Sequence, residues 1–202
     1  MTETYQSQTR RGVIAAALTV TVAGGVGVAA FTSAKAAVPP MAPLATGHEH
    51  DWDWLVGRWN VRHRRLKARL AGSTQWDEFN GTSVLWLTLG GLGTVDDNML
   101  ELPGGTYRAV GMRAFDAETG LWSIWWLDGR NPTHIDPPVQ GGFKDGVGTF
   151  EGDDTLRGKP IKVRFRWSAI TPASAHWEQA FSPDGGATWE TNWTMAFTRA
   201  GA

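Results

Sequence analysis

The sequence predicts an all-β protein, a single antiparallel up-and-down barrel of about nine or ten strands. Apolar and polar residues alternate with period two in segments such as IKVRFRW, residues 161–167, which is typical of half-buried strands. Turn sequences rich in Gly, Pro and Asp separate these segments at short spacing. Tryptophan-rich faces occur on both the first and the last segment. The first and last strands are therefore expected to pair, which closes the sheet and removes its edges.

The composition indicates one well-buried domain. A chain of 202 residues with 42% hydrophobic and 19% charged residues has room for one domain of ordinary size. It contains 12 Trp but only 2 Tyr, so the interior is expected to use large rings. The formal net charge of −1 does not favour a nucleic-acid partner. The absence of cysteine excludes disulfides and thiolate chemistry.

Residues 1–36 have the organisation of an export signal. Arg10 and Arg11 precede an apolar Ala/Val/Gly run, which ends in the small-residue site Ala-Lys-Ala at Ala36. The paired arginines resemble the twin-arginine type of signal, which carries folded cargo across a membrane. We expect cleavage after Ala36 and a secreted, cell-envelope or periplasmic protein that meets the membrane only during export. The apolar run is also long enough for an uncleaved anchor, so that alternative stays open.

The rest of the chain divides into a Pro/Ala-rich linker, residues 37–50, and the barrel, residues 51–200. DWDWLVG, which opens the barrel, predicts one short helical turn that ends at Gly57. LKARLAG, residues 66–72, is the one later segment with a trace of helical periodicity. Strands are predicted over residues 58–65, 74–89, 95–102, 106–115, 121–128, 139–144, 147–153, 161–167, 174–182 and 187–199.

The start of the first strand, VGRWNV, is similar to the first-strand signature of the lipocalins and related calycin barrels. In that superfamily a basic residue from a late strand covers the ring of this Trp at the closed end, and Trp59 and Arg199 match those positions. FNGTS, GGLGTVDDN, LDGRNP and HWEQAFSPDGGATWETNW also resemble a bacterial family of lipocalin-like barrels. This resemblance covers essentially residues 51–200. It implies a fold and names no reaction.

The segment LWSIWWLDGRNP, residues 121–132, places three tryptophans within five positions. Joining it to TYRAVGMRAF through an odd-length loop gives one coherent apolar face, which we predict to be the barrel interior. This register also places Arg108 beside Asp128 at the mouth, and Arg113 on the outside against Trp125. The predicted interior residues are Val110, Met112, Ala114, Trp122, Ile124 and Trp126.

The leading functional hypothesis is binding of a small apolar or aromatic molecule in a Trp-lined cavity, by a monomer or a homodimer without a cofactor. A simpler alternative is that Arg108 and Asp128 form only a surface ion pair at the rim. The predicted ligand-binding residues are Asn98, Arg108, Trp122, Trp126, Asp128 and Trp167.

The rival hypothesis is a barrel enzyme of the isomerase, cyclase or hydrolase type. Its acid or base would be His63, Glu78 or Asp128. His63 shares a face with Trp59, which equally fits a hydrogen-bonded core histidine. A third alternative is a filled barrel with a structural or interaction role on its outer Trp125 face.

Metal and haem sites are weighed against simpler structural interpretations. HEHDWD, residues 48–53, could hold a metal ion but also fits a leader followed by a helix cap. The haem-binding nitrobindins, which are calycin relatives, use a His late in the chain. The last strand here offers Trp193 and Met195 instead, which leaves His63 and His176 as haem candidates. No cofactor and no metal are predicted.

Two loops carry recognisable chemistry. SPDGGATW, residues 182–189, matches the Asp-box of sialidases and predicts a hairpin held by side-chain hydrogen bonds rather than a catalytic motif. NPTHIDPP, residues 131–138, is long and rich in proline, and it is interpreted either as a lid over the barrel mouth or as a connector.

Overall fold

A computed structural model, which describes residues 47–201, shows ten antiparallel strands in a closed barrel. Each strand pairs with the next one along the chain, and the first pairs with the last, from Trp59 opposite Arg199 to Arg65 opposite Trp193. The predicted fold class is confirmed. The strands are β1 (Gly57–Leu66), β2 (Trp76–Thr88), β3 (Gly93–Leu102), β4 (Gly105–Asp116), β5 (Leu121–Asp128), β6 (Val139–Lys144), β7 (Val147–Leu156), β8 (Lys159–Ser168), β9 (Ser174–Ser182) and β10 (Glu190–Arg199).

The predicted export signal, residues 1–36, and linker residues 37–46 lie outside the described residues. Two short 3-10 turns precede β1, His48–His50 and Asp53–Leu55. The first turn is attached to the barrel, because the indole N–H of Trp122 donates to the His48 carbonyl oxygen at 3.0 Å. Within residues 47–201, no helix has the length and apolarity needed to cross a membrane.

The closed end of the barrel is organised around Trp59. Its indole N–H donates to the Leu55 carbonyl oxygen at 2.7 Å, and the guanidinium carbon of Arg199 lies 3.8 Å from its ring centroid. Arg199 also donates to the carbonyl oxygens of Trp54 and Val56, at 2.7 and 2.6 Å. The basic residue therefore ties the entering chain to the last strand, as the calycin resemblance implies.

The segment LKARLAG does not form a helix. Leu66 ends β1, and residues 67–72 form bends and turns. Leu70 and Gly72 have φ values of 50° and 67°, which interrupt a right-handed helix. The backbone N–H of Leu70 donates to Glu190 Oε1 at 2.7 Å, so β10 holds this connection in place.

The predicted register between β4 and β5 is wrong by one residue. Asp116 pairs with Leu121, so the connection has four residues, an even number. The Asp116 carboxylate accepts hydrogen bonds from the Glu118 backbone at 2.8 Å and the Thr119 hydroxyl at 2.9 Å, and Gly120 closes the turn at φ 71°. The inner face of β5 is as predicted, with Trp122, Ile124 and Trp126. The inner face of β4 consists of Tyr107, Ala109, Gly111, Arg113 and Phe115, and Val110, Met112 and Ala114 lie on the other face.

Candidate ligand cavity

The barrel encloses a cavity of about 540 Å³. It reaches from Leu55, near the closed end, to the loops at the opposite end. We call that opposite end the mouth. It is formed by residues 65–69, 128–137 and 153–156. The interior is therefore not filled, which removes the main premise of the structural-protein alternative.

Aromatic rings form most of the cavity wall. Trp177 and Trp193 meet edge to face, with centroids 5.6 Å apart and planes at 86°, and Trp126 meets Trp193 in the same way at 6.2 Å. Edge-to-face contacts favour one orientation of each ring, so the wall consists of rings that already pack on one another. The aromatic residues that line the cavity are Tyr107, Trp125, Trp126, Phe165, Trp167, Trp177, Phe181, Trp193 and Phe197.

One side of the wall is polar and consists of Asp96, Asn98 and Arg113. Arg113 Nη1 lies 2.6 Å from Asp96 Oδ1, and Asn98 donates to Asp96 Oδ2 at 2.7 Å. Gly111 makes this arrangement possible, because a Cβ at that position would overlap the Asp96 carboxylate. The Arg113 guanidinium carbon also lies 4.5 Å from the Trp52 ring centroid. Arg113 and Asp96 are 7% and 5% exposed, so the charges form a buried, mutually neutralising pair.

Two buried side-chain nitrogens, Arg113 Nε and Trp52 Nε1, have no hydrogen-bond partner within residues 47–201. A buried N–H without a partner costs free energy. Both atoms are shielded from the cavity as well as from the outer surface, so they belong to the packed interior.

The mouth carries three arginines. Arg65 and Arg69 lie over the rings of Trp193 and Phe181, with guanidinium-to-centroid distances of 5.3 and 5.5 Å. Arg130 lies 3.8 Å from the Tyr107 centroid and forms an ion pair with Asp128 at 2.6 Å. Burial, followed by the nearby charge of Arg65, lowers the pKa of Arg69 to about 10. Arg69 therefore remains cationic at neutral pH.

Four of the six predicted ligand residues line the cavity: Asn98, Trp126, Asp128 and Trp167. That they contact a ligand stays a prediction. Trp122 does not line the cavity, since it is 1% exposed and packs between Trp52 and Phe115, with centroids 6.3 and 5.3 Å away.

The predicted register places Arg108 on the inner face beside Asp128, and this placement is wrong. The even connection turns it to the outer face, where it is exposed and forms an ion pair with Asp97. Asp128 therefore pairs with Arg130 instead of Arg108. Arg113 is likewise inside, against Trp52, rather than outside against Trp125.

His63 and Glu78, two of the predicted acid or base candidates, lie on opposite faces of the sheet. His63 is buried, stacks on Phe79 at 4.7 Å, and accepts a hydrogen bond from the Trp193 indole at 3.2 Å. Burial, and then the charge of Arg65, lower its pKa to about 4. Glu78 lies on the outer face and binds Arg62 at 2.8 Å. His63 is thus the hydrogen-bonded core histidine of the alternative interpretation.

Asp128 is a poor general acid. Its partial burial by itself would raise the pKa, but the hydrogen bonds and charge of Arg130 outweigh burial and lower it. Asp136, which also lines the mouth, has its pKa shifted in the opposite direction to that of Asp128. Burial, and then the charge of Asp154, raise the pKa of Asp136.

Sequence reasoning missed Asp136 and the inward arginines. The loop NPTHIDPP does line the mouth, because the Asp136 backbone N–H donates to the Trp126 carbonyl oxygen at 2.9 Å. For Arg65, a usable signal was present: the period-two pattern of β1 places it on the same face as Trp59 and His63. No comparable signal exists for Arg69, which lies in a turn.

The remaining histidines form no common site within residues 47–201. His48 binds Asp51 at 3.1 Å, and His50 binds Asp53 at 3.0 Å, as two separate pairs. His176 alternates with the buried Trp177 and lies on the other face of β9, so it does not reach the cavity. In this part of the chain, no group of three or more His, Asp or Glu side chains is placed to hold a metal ion.

The SPDGGATW segment forms a hairpin held by side-chain hydrogen bonds, as predicted. The Asp184 carboxylate accepts hydrogen bonds from the Thr188 hydroxyl and backbone N–H, at 2.6 and 2.8 Å, and from the Ser182 hydroxyl at 2.7 Å. These bonds lower the pKa of Asp184 to about 2, with the Thr188 bonds contributing most.

No family model matches the chain, and no curated protein matches its sequence. Among solved structures, the S-type phycobiliprotein lyase CPES from Guillardia theta aligns over 76% of this chain and 93% of its own, with 12% identity and a TM-score of 0.51. EF1p2_mFAP2b bound to DFHBI aligns over 75% of this chain and 98% of its own, with 10% identity and a TM-score of 0.41. The likeness to the lyase concerns the fold alone. With the strand topology, it defines the class: a calycin-like barrel of ten strands.

Proposed function

We propose that the protein is an exported calycin-like barrel that binds a small apolar or aromatic molecule in its interior. The observation that carries this proposal is the cavity of about 540 Å³ with a wall of mutually packed aromatic rings. Small-molecule sites in proteins are concave, largely apolar and preformed, with a few polar groups that orient the ligand. The cavity has each of these properties.

The polar side of the wall supports the same conclusion. Asp96, Asn98 and Arg113 already bind one another, so an apolar ligand beside them leaves no carboxylate or guanidinium without a partner. The ligand therefore gains from covering the rings without a large desolvation cost on the polar side.

A fluorescent probe tests binding directly. The uncharged probe 2-anthracenecarboxamide absorbs where tryptophan emits, so binding beside the indoles should quench tryptophan emission by energy transfer in a saturable way. Trp126→Ala should weaken binding by about tenfold or more, because it removes a central ring of the wall. Trp86→Ala is the matched control, since Trp86 is 47% exposed and does not line the cavity.

The proposal fails if neither this probe nor related aromatic probes give saturable quenching with the wild-type protein. It also fails if Trp86→Ala weakens binding as much as Trp126→Ala, because the probe would then bind outside the barrel.

Export is tested separately from binding. We expect exported protein to begin at Ala37 by mass spectrometry, and replacement of both Arg10 and Arg11 by Lys to retain the precursor. An exported protein that keeps residues before Ala37, or that stays in the membrane fraction, contradicts this part of the proposal.

Catalysis is the second candidate function, and one observation favours it. Asp136 is a cavity-lining carboxyl group with a raised pKa, as an interior acid or base requires. The methyl ester of 2-anthracenecarboxylic acid places an ester group on the same ring system, and chromatography can follow its hydrolysis. Hydrolysis that Asp136→Asn abolishes while probe binding persists would support catalysis. Wild-type hydrolysis no faster than in buffer would count against a hydrolase.

A further inference from the structure

Arg65 and Arg69 stand at the same part of the mouth and face the cavity. Arg65 ends the inner face of β1, and Arg69 follows in the connection to β2. Both side chains are half-buried and both line the cavity. The rings of Trp193 and Phe181 lie under the two guanidinium groups and hold them over the apolar wall.

Two nearby cations, Arg130 and Lys162, have carboxylate partners, whereas Arg65 and Arg69 have none in the described part of the chain. Arg130 binds Asp128 at 2.6 Å, and Lys162 binds Asp153 at 2.8 Å. Within residues 47–201, neither Arg65 nor Arg69 forms an ion pair. Two half-buried cations that face one space repel each other unless an anion lies between them.

Asp136 does not supply that anion in full. It is close enough to Arg69 for a favourable charge interaction, but no ion pair forms between them. Its own burial and the neighbouring Asp154 favour its neutral form. Asp128 also interacts with the charge of Arg65, but its carboxylate is already bound to Arg130. Among the described residues, Arg65 and Arg69 therefore stand above the aromatic wall without an ion-paired carboxylate of their own.

We propose that the ligand is an aromatic carboxylate, whose rings lie beside Trp126 and Trp193 and whose carboxylate lies between Arg65 and Arg69. This inference rests on the proposed function, because the rings must occupy the cavity. Guanidinium groups suit a carboxylate because their planar donors bind its two oxygens together. The deeper Arg113 does not compete for the anion, since Asp96 already neutralises its charge.

Two probes of the same shape test the charge. 2-Anthracenecarboxylate and 2-anthracenecarboxamide differ in charge at one position, and both report binding by energy transfer from tryptophan. We expect the wild-type protein to bind the carboxylate about tenfold more tightly than the amide. The difference should shrink as salt is added, because part of the mouth is exposed to solvent.

Variants locate the effect. Arg65→Gln and Arg69→Gln should each weaken carboxylate binding by about fivefold and change amide binding by less than about twofold. Unchanged amide binding also shows that the variant barrel is folded. If Arg69→Gln fails to fold, Arg65→Gln alone decides the test.

Arg62→Gln is the matched control, because Arg62 lies on the outer face of the same strand and carries the same charge. It should leave the affinities for both probes unchanged. If Arg62→Gln weakens carboxylate binding as much as Arg65→Gln, the general field of the protein is responsible and the proposal is wrong. If the wild-type protein binds the amide as tightly as the carboxylate, the carboxylate site is wrong while the binding function stands. If neither probe binds, the proposed function itself fails.

Discussion

The closed end and the mouth half of the barrel use the same residue type for opposite purposes. At the closed end, the indole N–H groups of Trp54, Trp59 and Trp122 all donate to backbone carbonyl oxygens within 3.0 Å. Their rings pack against Trp52, Phe115 and Arg199 and leave no space. In the mouth half, Trp126, Trp177 and Trp193 touch mainly at ring edges and enclose a cavity. Tryptophan richness by itself therefore does not mark a binding site.

The two ends of the barrel differ in the chain segments that enter the interior. The 3-10 turns before β1 place Trp52 and Leu55 inside the closed end, where the described structure has them 0% and 2% exposed. In the part of the chain that the structure describes, the mouth is bordered by strand ends and by connections between strands, which keep polar and charged side chains at the rim. One end is stabilised by packing, and the other keeps a space that a ligand can fill.

The largest expected effect comes from two tryptophans on one face of β5. Trp122→Ala removes a fully buried ring at the closed end and should lower the free energy of unfolding by about 3–5 kcal/mol. Trp126→Ala, four residues along, removes a cavity-lining ring and should lower it by less while weakening probe binding. Urea unfolding and the fluorescence titration measure the two effects. Equal losses of stability for both variants would contradict the distinction between the two ends.

The buried ion pair on the polar wall tests the corrected register. Arg113→Met leaves the Asp96 carboxylate buried without its cation and should cost about 3–5 kcal/mol of stability. Combining it with Asp96→Leu should recover most of that loss, because no unpaired charge remains. Arg108→Met is the matched control on the outer face of the same strand and should leave stability unchanged. Large destabilisation by Arg108→Met with little by Arg113→Met would favour the odd-length connection.

The buried His63, which accepts the hydrogen bond of the cavity-lining Trp193, should make stability depend on pH. The pKa of His63 falls from 6.5 to about 4 on folding, so between these values the unfolded chain binds more protons. Its contribution to stability is present above pH 6.5 and is lost as the pH falls toward 4. From pH 7 to pH 5 the loss should be about 2 kcal/mol.

His63→Gln isolates this contribution, because glutamine can still accept the Trp193 hydrogen bond but does not titrate. Urea unfolding of both proteins at the two pH values gives the comparison. The same pH dependence in both would show that His63 is not the group responsible.

The smallest expected effect is at the closed end. Arg199→Lys keeps the charge but loses the planar donors that reach the Trp54 and Val56 carbonyl oxygens, and should cost about 1 kcal/mol. Probe binding should not change, since Arg199 does not line the cavity. A loss of binding without a loss of stability would mean that the two ends are coupled.

Sequence periodicity was sufficient for most of the barrel. β1 and β8 each have a bulky apolar face that alternates with a more polar one, so their inner residues could be predicted from the sequence. β4 could not be read in this way. Val110 and Met112 on one face are as apolar as Ala109 and Phe115 on the other, so hydrophobicity does not choose between them. The connection chose the register, through the hydrogen bonds of Asp116 and the positive φ of Gly120.

The residues of the candidate site fall into the same two groups: those that one strand pattern predicts, and those that only the closed barrel brings together. Trp126, Trp167 and Asn98 were predicted at the cavity because each alternates within a single strand, and a strand carries its own period of two. Arg65, Arg69 and Asp136 converge only when the barrel closes, since their side chains come from separate loops and strand ends. Alternation along the chain thus determined the ten-strand barrel and its aromatic lining. Tertiary structure decided the pairing of Arg113 with Asp96 and the meeting at the mouth of two arginines without an ion-paired carboxylate among residues 47–201, because register and closure depend on turns and on contacts distant in sequence.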